Sequence, residues 1–417
     1  MLNKQITKNI AIIFCITIAG LLCSSAFHFM LSLKNNIYPY NTFLFNQPDR
    51  FSDFTIVLQE AFDLNPYLGH NSAQYPLLCF VGYLLALVAT NNFNFHYIYF
   101  FYVFACLFIF VYIVDKLSDS SQKVFSIVTI GLIFLTSYPF LFAVDRGNFE
   151  LLVFITVAIS LYYYKVESYY KSAFFLACAA SMKLLPLYYL VIFIKDRKYK
   201  ELAFSTGCFL AINLGILSLF RGGVYNNLLY LVNGGNIKNN VYFTGFTGGD
   251  SLFQRSVSLF NFTKIILTKF HLLYIYNQIN FISYYKLTMV ILVIALSLYV
   301  IFLVKDFRVS ILVLSIIIIL FPYISADYKM LYLFLPILFF LCNGGTCFQT
   351  AYSVLFGFAL IPKSYYFLGL QSDSGFYDIT ISSILNPLLL IMLLLMAFYE
   401  TSCKGYGTCR SDRKLMQ

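Results

Sequence analysis

The sequence predicts an all-α, polytopic integral membrane protein of about twelve transmembrane helices, and three observations lead there. Of 417 residues, 60% are hydrophobic and 11% charged, whereas a soluble domain carries about a quarter charged residues. Apolar runs approaching the ~20 residues that cross a bilayer at ~1.5 Å rise each recur from end to end. The surplus of ten positive charges gathers at the ends of those runs, which is where positive-inside anchoring puts Lys and Arg.

The runs occupy 10–33, 75–92, 96–114, 124–143, 149–164, 173–194, 201–220, 285–304, 309–325, 330–342, 347–361 and 382–399. The first follows Lys4 and Lys8. Its length, and the want of a small-residue cleavage site, make it an uncleaved span rather than a secretory signal. Residues 1–417 read as one membrane domain. Two segments interrupt the spans: a first loop over 34–74 and a long loop over 221–284, both expected outside. KDRKYK (195–200), KDFR (305–308) and a basic tail over 400–417 are expected in the cytoplasm. The side of 115–194 stays open. Either 173–194 is one span, or it is a hairpin broken at Lys183-Leu-Leu-Pro186 of the kind tolerated where a helix lines a cavity.

Within the first loop, FSDFTIVLQEAFD (51–63) has helical period. Phe51, Phe54, Val57, Leu58, Ala61 and Phe62 fall on one face, with Asp53, Glu60 and Asp63 opposite. This predicts a helix lying in the membrane interface and holding its acids above the bilayer.

The basic balance is spent on span ends, so no nucleic-acid partner is expected. Eight of the ten cysteines lie in or beside apolar runs, as small hydrophobes do. No CxxC or HExxH occurs and the four histidines are scattered, so neither a structural disulfide nor a metal site is expected.

Ionisable groups at membrane depth are costly and point to function. Four clusters qualify: Asp49, Arg50 and Asp53; Asp145, Arg146, Asn148 and Glu150; Lys183; and Asp327 with Lys329. Each has a plainer reading. Asp49 and Arg50 form a solvated pair, Arg146 and Glu150 pair along one helix, Lys183 snorkels, and Asp327 and Lys329 belong to an ordinary loop. Taken together, acid at an outer surface with Arg and Lys reaching inward suits an anionic head on a lipid tail. Base would hold a phosphate, and acid would take a proton from a hydroxyl. Asp145 and Glu150 are expected to compensate Arg146. Lys183 has no acid within four residues on its helix, which points to a bound anion as its partner. The same set would also serve a transporter.

YNTFLFNQPDRFSDFTIVLQEAFDLNPYLGHNSAQYP (40–76) resembles the first outer loop of GT-C glycosyltransferases that use polyprenyl-phosphate sugars. DRGNFELLVF resembles the Gly-x-Asn turn of glycosyltransferase family 87. SAFFLACAASMKLLPLYYLVIFIKDRK (172–198) resembles that family's small-residue helix ending in Lys-x-x-Pro. FPYISADYKMLYLFLPILFFL (321–341) resembles its late element. Members often carry Trp and His in that element. This chain reads Ser325, Ala326, Asp327, Tyr328, Lys329 and contains no Trp, so the role passes to Tyr328 or Lys329, or the acceptor differs.

The resemblance covers about residues 10–345. It implies a GT-C-like fold and a hexosyltransferase of a bacterial-type inner membrane, working on the outer face. The donor would be a polyprenyl-phosphate sugar, mannose-like, and the acceptor a lipid-linked or surface glycan. Displacement would be direct and inverting, with Asp53 as catalytic base and no cofactor. Asp49, Arg50, Asp145, Arg146, Asn148, Glu150, Lys183, Asp327, Tyr328 and Lys329 would bind substrate. Rival readings are an O-antigen-type polymerase, which would lean on Arg221 and Arg255 of the long loop, and a transporter or flippase of an anionic lipid or solute.

Overall fold

The computed structural model describes residues 2–34, 50–70, 72, 74–89, 92–118, 123–242, 256–272, 281–342, 348–372 and 375–405. Asp49, Arg255 and the tail beyond 405 lie outside them. Helix dominates. In chain order the helices are α1 (Leu2–Leu33), α2 (Ser52–Ala61), α3 (Pro76–Val88), α4 (Asn92–Leu117), α5 (Lys123–Thr136), α6 (Tyr138–Arg146), α7 (Glu150–Lys165), α8 (Tyr169–Met182), α9 (Leu190–Lys195) and α10 (Tyr199–Leu219). They continue as α11 (Gly223–Tyr242), α12 (Leu259–Lys269), α13 (Phe281–Phe302), α14 (Phe307–Leu320), α15 (Phe334–Cys342), α16 (Gln349–Leu360) and α17 (Ser382–Gly405). Short 3₁₀ turns precede α9 and α15.

Each of the twelve apolar runs carries helix. Among the described residues, five helices are long and apolar enough to cross a membrane: Ile6–Leu33, Phe95–Leu117, Tyr199–Leu219, Ser283–Phe302 and Ser382–Cys403. A sixth span is gained if α5 and α6, bent by 56° at Ser137, count as one. The long loop over 221–284 is not open coil, since it contains α11 and α12. Between α16 and α17 runs an antiparallel hairpin, β1 (Tyr366–Ser372) with β2 (Gly375–Thr380), which the sequence reading did not anticipate.

The contacts fall into two compact units, 1–46 with 114–142 and 249–417, and 47–113 with 143–248. In the first unit, α14 and α15 are short and apolar on every side. Val309 to Leu320 are all buried, as are all nine residues of α15. A helix apolar all round suits a protein interior or a bilayer, and here neighbouring protein covers both helices. By contrast, α13 exposes Tyr284, Leu287, Ile291, Ile294 and Leu298, three or four residues apart, as a lipid-facing stripe would.

In the second unit, α7 is central and buries eleven of its sixteen residues. It packs on α8, where Ser172, Ala173, Ala177, Ala180 and Ser181 let the backbones approach, as small residues do between helices in a bilayer. The contact is tied by Ser160 Oγ donating to the Ser172 carbonyl at 2.8 Å. In turn α10 docks on α8 through Ser205 Oγ to the Ala173 carbonyl (2.9 Å) and Asn213 Nδ2 to Ser181 Oγ (2.9 Å). Across α3 lies α2, where Gly82 leaves room for Val57; a Cβ there would come within 2.8 Å of Val57 Cγ1.

The helix expected over 51–63 is present but shorter. Phe54, Val57, Leu58 and Ala61 are buried as its apolar face, yet protein covers that face: Val57 and Ala61 meet α3, and Phe54 meets rings of α4. Because the helix ends at Ala61, Phe62 swings out and is exposed.

Candidate active site

The site grows from the turn between α6 and α7. Gly147 follows the last residue of α6 with φ +67°, a left-handed conformation cheap only for glycine. Its N–H bonds the Val144 carbonyl (3.1 Å), and the Asn148 N–H bonds the Ala143 carbonyl (2.9 Å). That pair of bonds is a Schellman closure, which satisfies the last carbonyls of a helix. Asn148 then opens the next helix, its Oδ1 accepting the Glu150 N–H at 2.8 Å. One helix stops and another starts within four residues, and the Gly-Asn pair makes that possible.

Onto this turn the chain brings α2. Phe51, itself left-handed at φ 58°, donates its N–H to the Asp145 carbonyl at 2.9 Å. The approach is so close that a Cβ on Gly147 would lie 2.9 Å from both Phe51 Cα and Phe54 Cβ. Aromatic rings underlie the joint. Phe54 stacks on Phe149 (5.1 Å, 11°) and meets Tyr99 edge-on (5.0 Å), and Phe51 tilts against Tyr99 (4.6 Å). From α4, the Tyr99 hydroxyl donates to the Val144 carbonyl, and Tyr102 Oη accepts the Leu152 N–H at 3.1 Å. Tyr99 and Tyr102 were missed in the sequence, where their three-residue spacing inside an apolar run looks like packing alone.

Asp53 therefore stands over the turn. Its Oδ1 takes a hydrogen bond from Arg146 Nη2, and its Oδ2 takes one from Asn148 Nδ2 at 2.6 Å. From the far side comes Lys183. Residue 182 ends α8, Lys183 is extended (φ −154°, ψ 136°), and Pro186 lies at the start of the 3₁₀ turn Leu185–Tyr189 that follows. Lys183 Nζ reaches Glu150 Oε2 at 2.6 Å and Asn148 Oδ1 at 3.4 Å. At the rim, Arg50 Nε lies 3.5 Å from Asp145 Oδ1.

One sequence expectation needs correction here, and one pairing is added to it. Lys183 does have a countercharge, Glu150, which lies across a helix boundary rather than along its own helix. Arg146 bonds Asp53, 93 residues earlier, and Asp145 and Glu150 reach Arg50 and Lys183 respectively. Three bases thus meet three acids, and the cluster is electrically balanced. The acids are not alike. The Glu150 side chain is wholly buried and that of Asp145 is 7% exposed, whereas that of Asp53 is 25% exposed. All three acids hold a cation, and Asp53 is the most exposed of them. Among the described residues, no three His, Cys, Asp or Glu side chains come together as metal ligands.

The late element belongs to the other unit. Asp327 is completely buried, its carboxylate accepting from Ser364 Oγ and from Asn386 Nδ2 (3.2 Å). Tyr328 stacks on Phe142 (6.0 Å, 23°), and Lys329 Nζ bonds the Ile324 carbonyl at 3.1 Å. Nearby, Lys363 Nζ donates to the carbonyls of Phe358, Ala359 and Ile361. In this structure Asp327 is taken up by its own fold.

A helical membrane protein with a balanced, part-exposed cluster of acids and bases on a Gly-Asn turn is the class these features define. The model of glycosyltransferase family 87 matches residues 75–325, and the chain belongs to that family. It is accordingly a membrane glycosyltransferase. The matched stretch contains the Asp145–Glu150 turn and Lys183; Asp53 lies before it and Asp327 just beyond it. No curated protein matches the chain significantly.

Proposed function

We propose that the chain transfers a hexose, mannose-like, from a polyprenyl-phosphate donor to a lipid-linked or surface glycan, on the outer face of a bacterial inner membrane. Asp53 is the base and the displacement is direct. The acceptor oxygen attacks the anomeric carbon while its proton passes to Asp53. The bond from that carbon to the phosphate oxygen breaks, its electron pair leaving with the phosphate. The product phosphate carries one more negative charge than the donor and Asp53 one fewer, so the summed charge of cluster and phosphate is conserved across the step. Arg146, in contact with Asp53, is placed to meet the charge that moves. Lys183 and Arg50 contribute positive potential from their anchored positions.

The observation that carries this reading is the contrast in burial among the three acids, which leaves Asp53 as the outward-facing one, held at both oxygens. The test is an in-membrane transfer assay with a panel of polyprenyl-phosphate sugars, run on the parent and on Asp53→Asn. Loss of a general base typically costs about 10²–10⁴-fold in rate. The variant is expected to insert normally and to transfer at under about a hundredth of the parent rate. A variant retaining more than about a tenth would end the assignment.

A further inference from the structure

In this structure both oxygens of Asp53 are engaged: Arg146 holds Oδ1 and Asn148 holds Oδ2. A guanidinium bonded to Oδ1 competes with an incoming hydroxyl for that oxygen. The two clasps differ in kind. Asn148 is 8% exposed and fixed from behind, its own oxygen engaged by the Glu150 N–H and by Lys183 Nζ. Its amide is therefore oriented with the NH₂ toward Asp53. Arg146 carries a side chain 19% exposed on the final residue of α6, and a guanidinium forks as readily onto phosphate as onto carboxylate.

We propose that the two oxygens of Asp53 have separate duties: Asn148 holds Oδ2 throughout, while Arg146 masks Oδ1 until a lipid phosphate draws the guanidinium away, unmasking Oδ1 as the oxygen that accepts the acceptor's proton. The inference rests on the lipid-phosphate donor proposed above. It gives the empty enzyme a latent base and makes donor binding the event that arms it. Asn148 is then a positioning residue, since it acts through Asp53.

The exchange has a signature that a purely structural Asp53–Arg146 pair lacks, for the carboxylate competes with the ligand. Removing the competitor should tighten binding. The probe is geranyl phosphate, titrated by calorimetry into the full chain in phosphatidylcholine nanodiscs. Asp53→Asn, with Asp53→Ser as a second variant, is expected to bind it on the order of tenfold more tightly than the parent. That is the gain when a competent state populated at about a tenth becomes the ground state. Adding Arg146→Gln should erase the gain. Tighter binding that depends on Arg146 supports the exchange. Binding by the parent with equal or weaker binding by both Asp53 variants overturns it and leaves the donor reading standing. If the parent and the Asp53 variants alike fail to bind while staying folded by thermal unfolding, the lipid-phosphate donor falls and the exchange with it.

Discussion

Replacing Lys183 with Met isolates the energetics of the cluster. Read along its own helix, Lys183 is an uncompensated cation, and the substitution should stabilise the empty protein. The structure reverses that sign. Glu150 has no exposed side-chain surface and accepts from Lys183 at 2.6 Å, so Lys183→Met takes a cation away from a buried carboxylate. Breaking a buried pair from one side costs about 3–5 kcal/mol. Two features favour the low end. Glu150 sits in the first turn of α7, where the helix dipole returns about 0.3–1 kcal/mol, and 22% exposure of Lys183 implies nearby solvent. The expected loss is about 3 kcal/mol, or ~6 °C in unfolding midpoint at about 2 °C per kcal/mol for a large chain. Glu150→Met alone should cost less, since Lys183 can reach water. The double replacement should recover most of the loss, because an apolar pair of similar volume is often neutral or stabilising. Detergent-solubilised protein followed by intrinsic fluorescence on heating measures all four members of the cycle. An unchanged or raised midpoint for Lys183→Met would refute the pairing and return Lys183 to the role of an anion's sole partner.

Three further outcomes are expected. Gly147→Ala should lower the midpoint and abolish transfer together, since it places a left-handed Ala with its Cβ 2.9 Å from the Phe51 backbone; a variant within about a tenth of parent activity would show that the joint yields. Transfer should survive EDTA, because a lipid monophosphate can be held by Arg and Lys; activity lost on chelation and restored by Mg²⁺ would point to a nucleotide-sugar donor instead. Burial pulls the Lys363 ammonium down to about 7, with Asp327 pulling it partly back. The unfolded chain then holds the extra proton between about pH 7 and the ordinary lysine value, so stability rises with pH across that window. The midpoint of the parent should climb more steeply from pH 7 to 9 than that of Lys363→Met; parallel profiles would contradict this.

The residues of the candidate site were legible in the sequence, and their pairing was not. Asp53, Arg146, Asn148, Glu150 and Lys183 stood out because polar groups in apolar runs are costly and so conspicuous. Spacing along a helix, however, proposes only neighbours three or four residues away. The real partners lie 93 and 33 residues apart, joined by a joint that only Gly147 allows. The break at Lys183 could be anticipated from Pro186, which lies at the start of the following 3₁₀ turn. The buried face of α2 followed from its period, but not what covers it: lipid and a neighbouring aromatic helix both reward apolar residues. Nor did composition separate wholly interior α14 from lipid-facing α13, since a chain in a bilayer has reason to be apolar in both places. The hairpin over 366–380 left no period to read beside the surrounding runs.

That long-range pairing bears on how the protein is made. Asp53 leaves the ribosome 93 residues before Arg146, roughly 5–20 s at ordinary elongation rates, and Glu150 precedes Lys183 by 33 residues. Asp53 and Glu150 therefore reach the membrane ahead of their partners and must wait beside water or within the insertion machinery, whereas Asp145 follows Arg50. No charge of the cluster is neutralised by its final mate until the second member of its pair emerges, so the neutral site is a late product of biogenesis. A chain stalled before Lys183 would hold Glu150 without this cation, which gives cellular quality control a difference to recognise in unfinished copies.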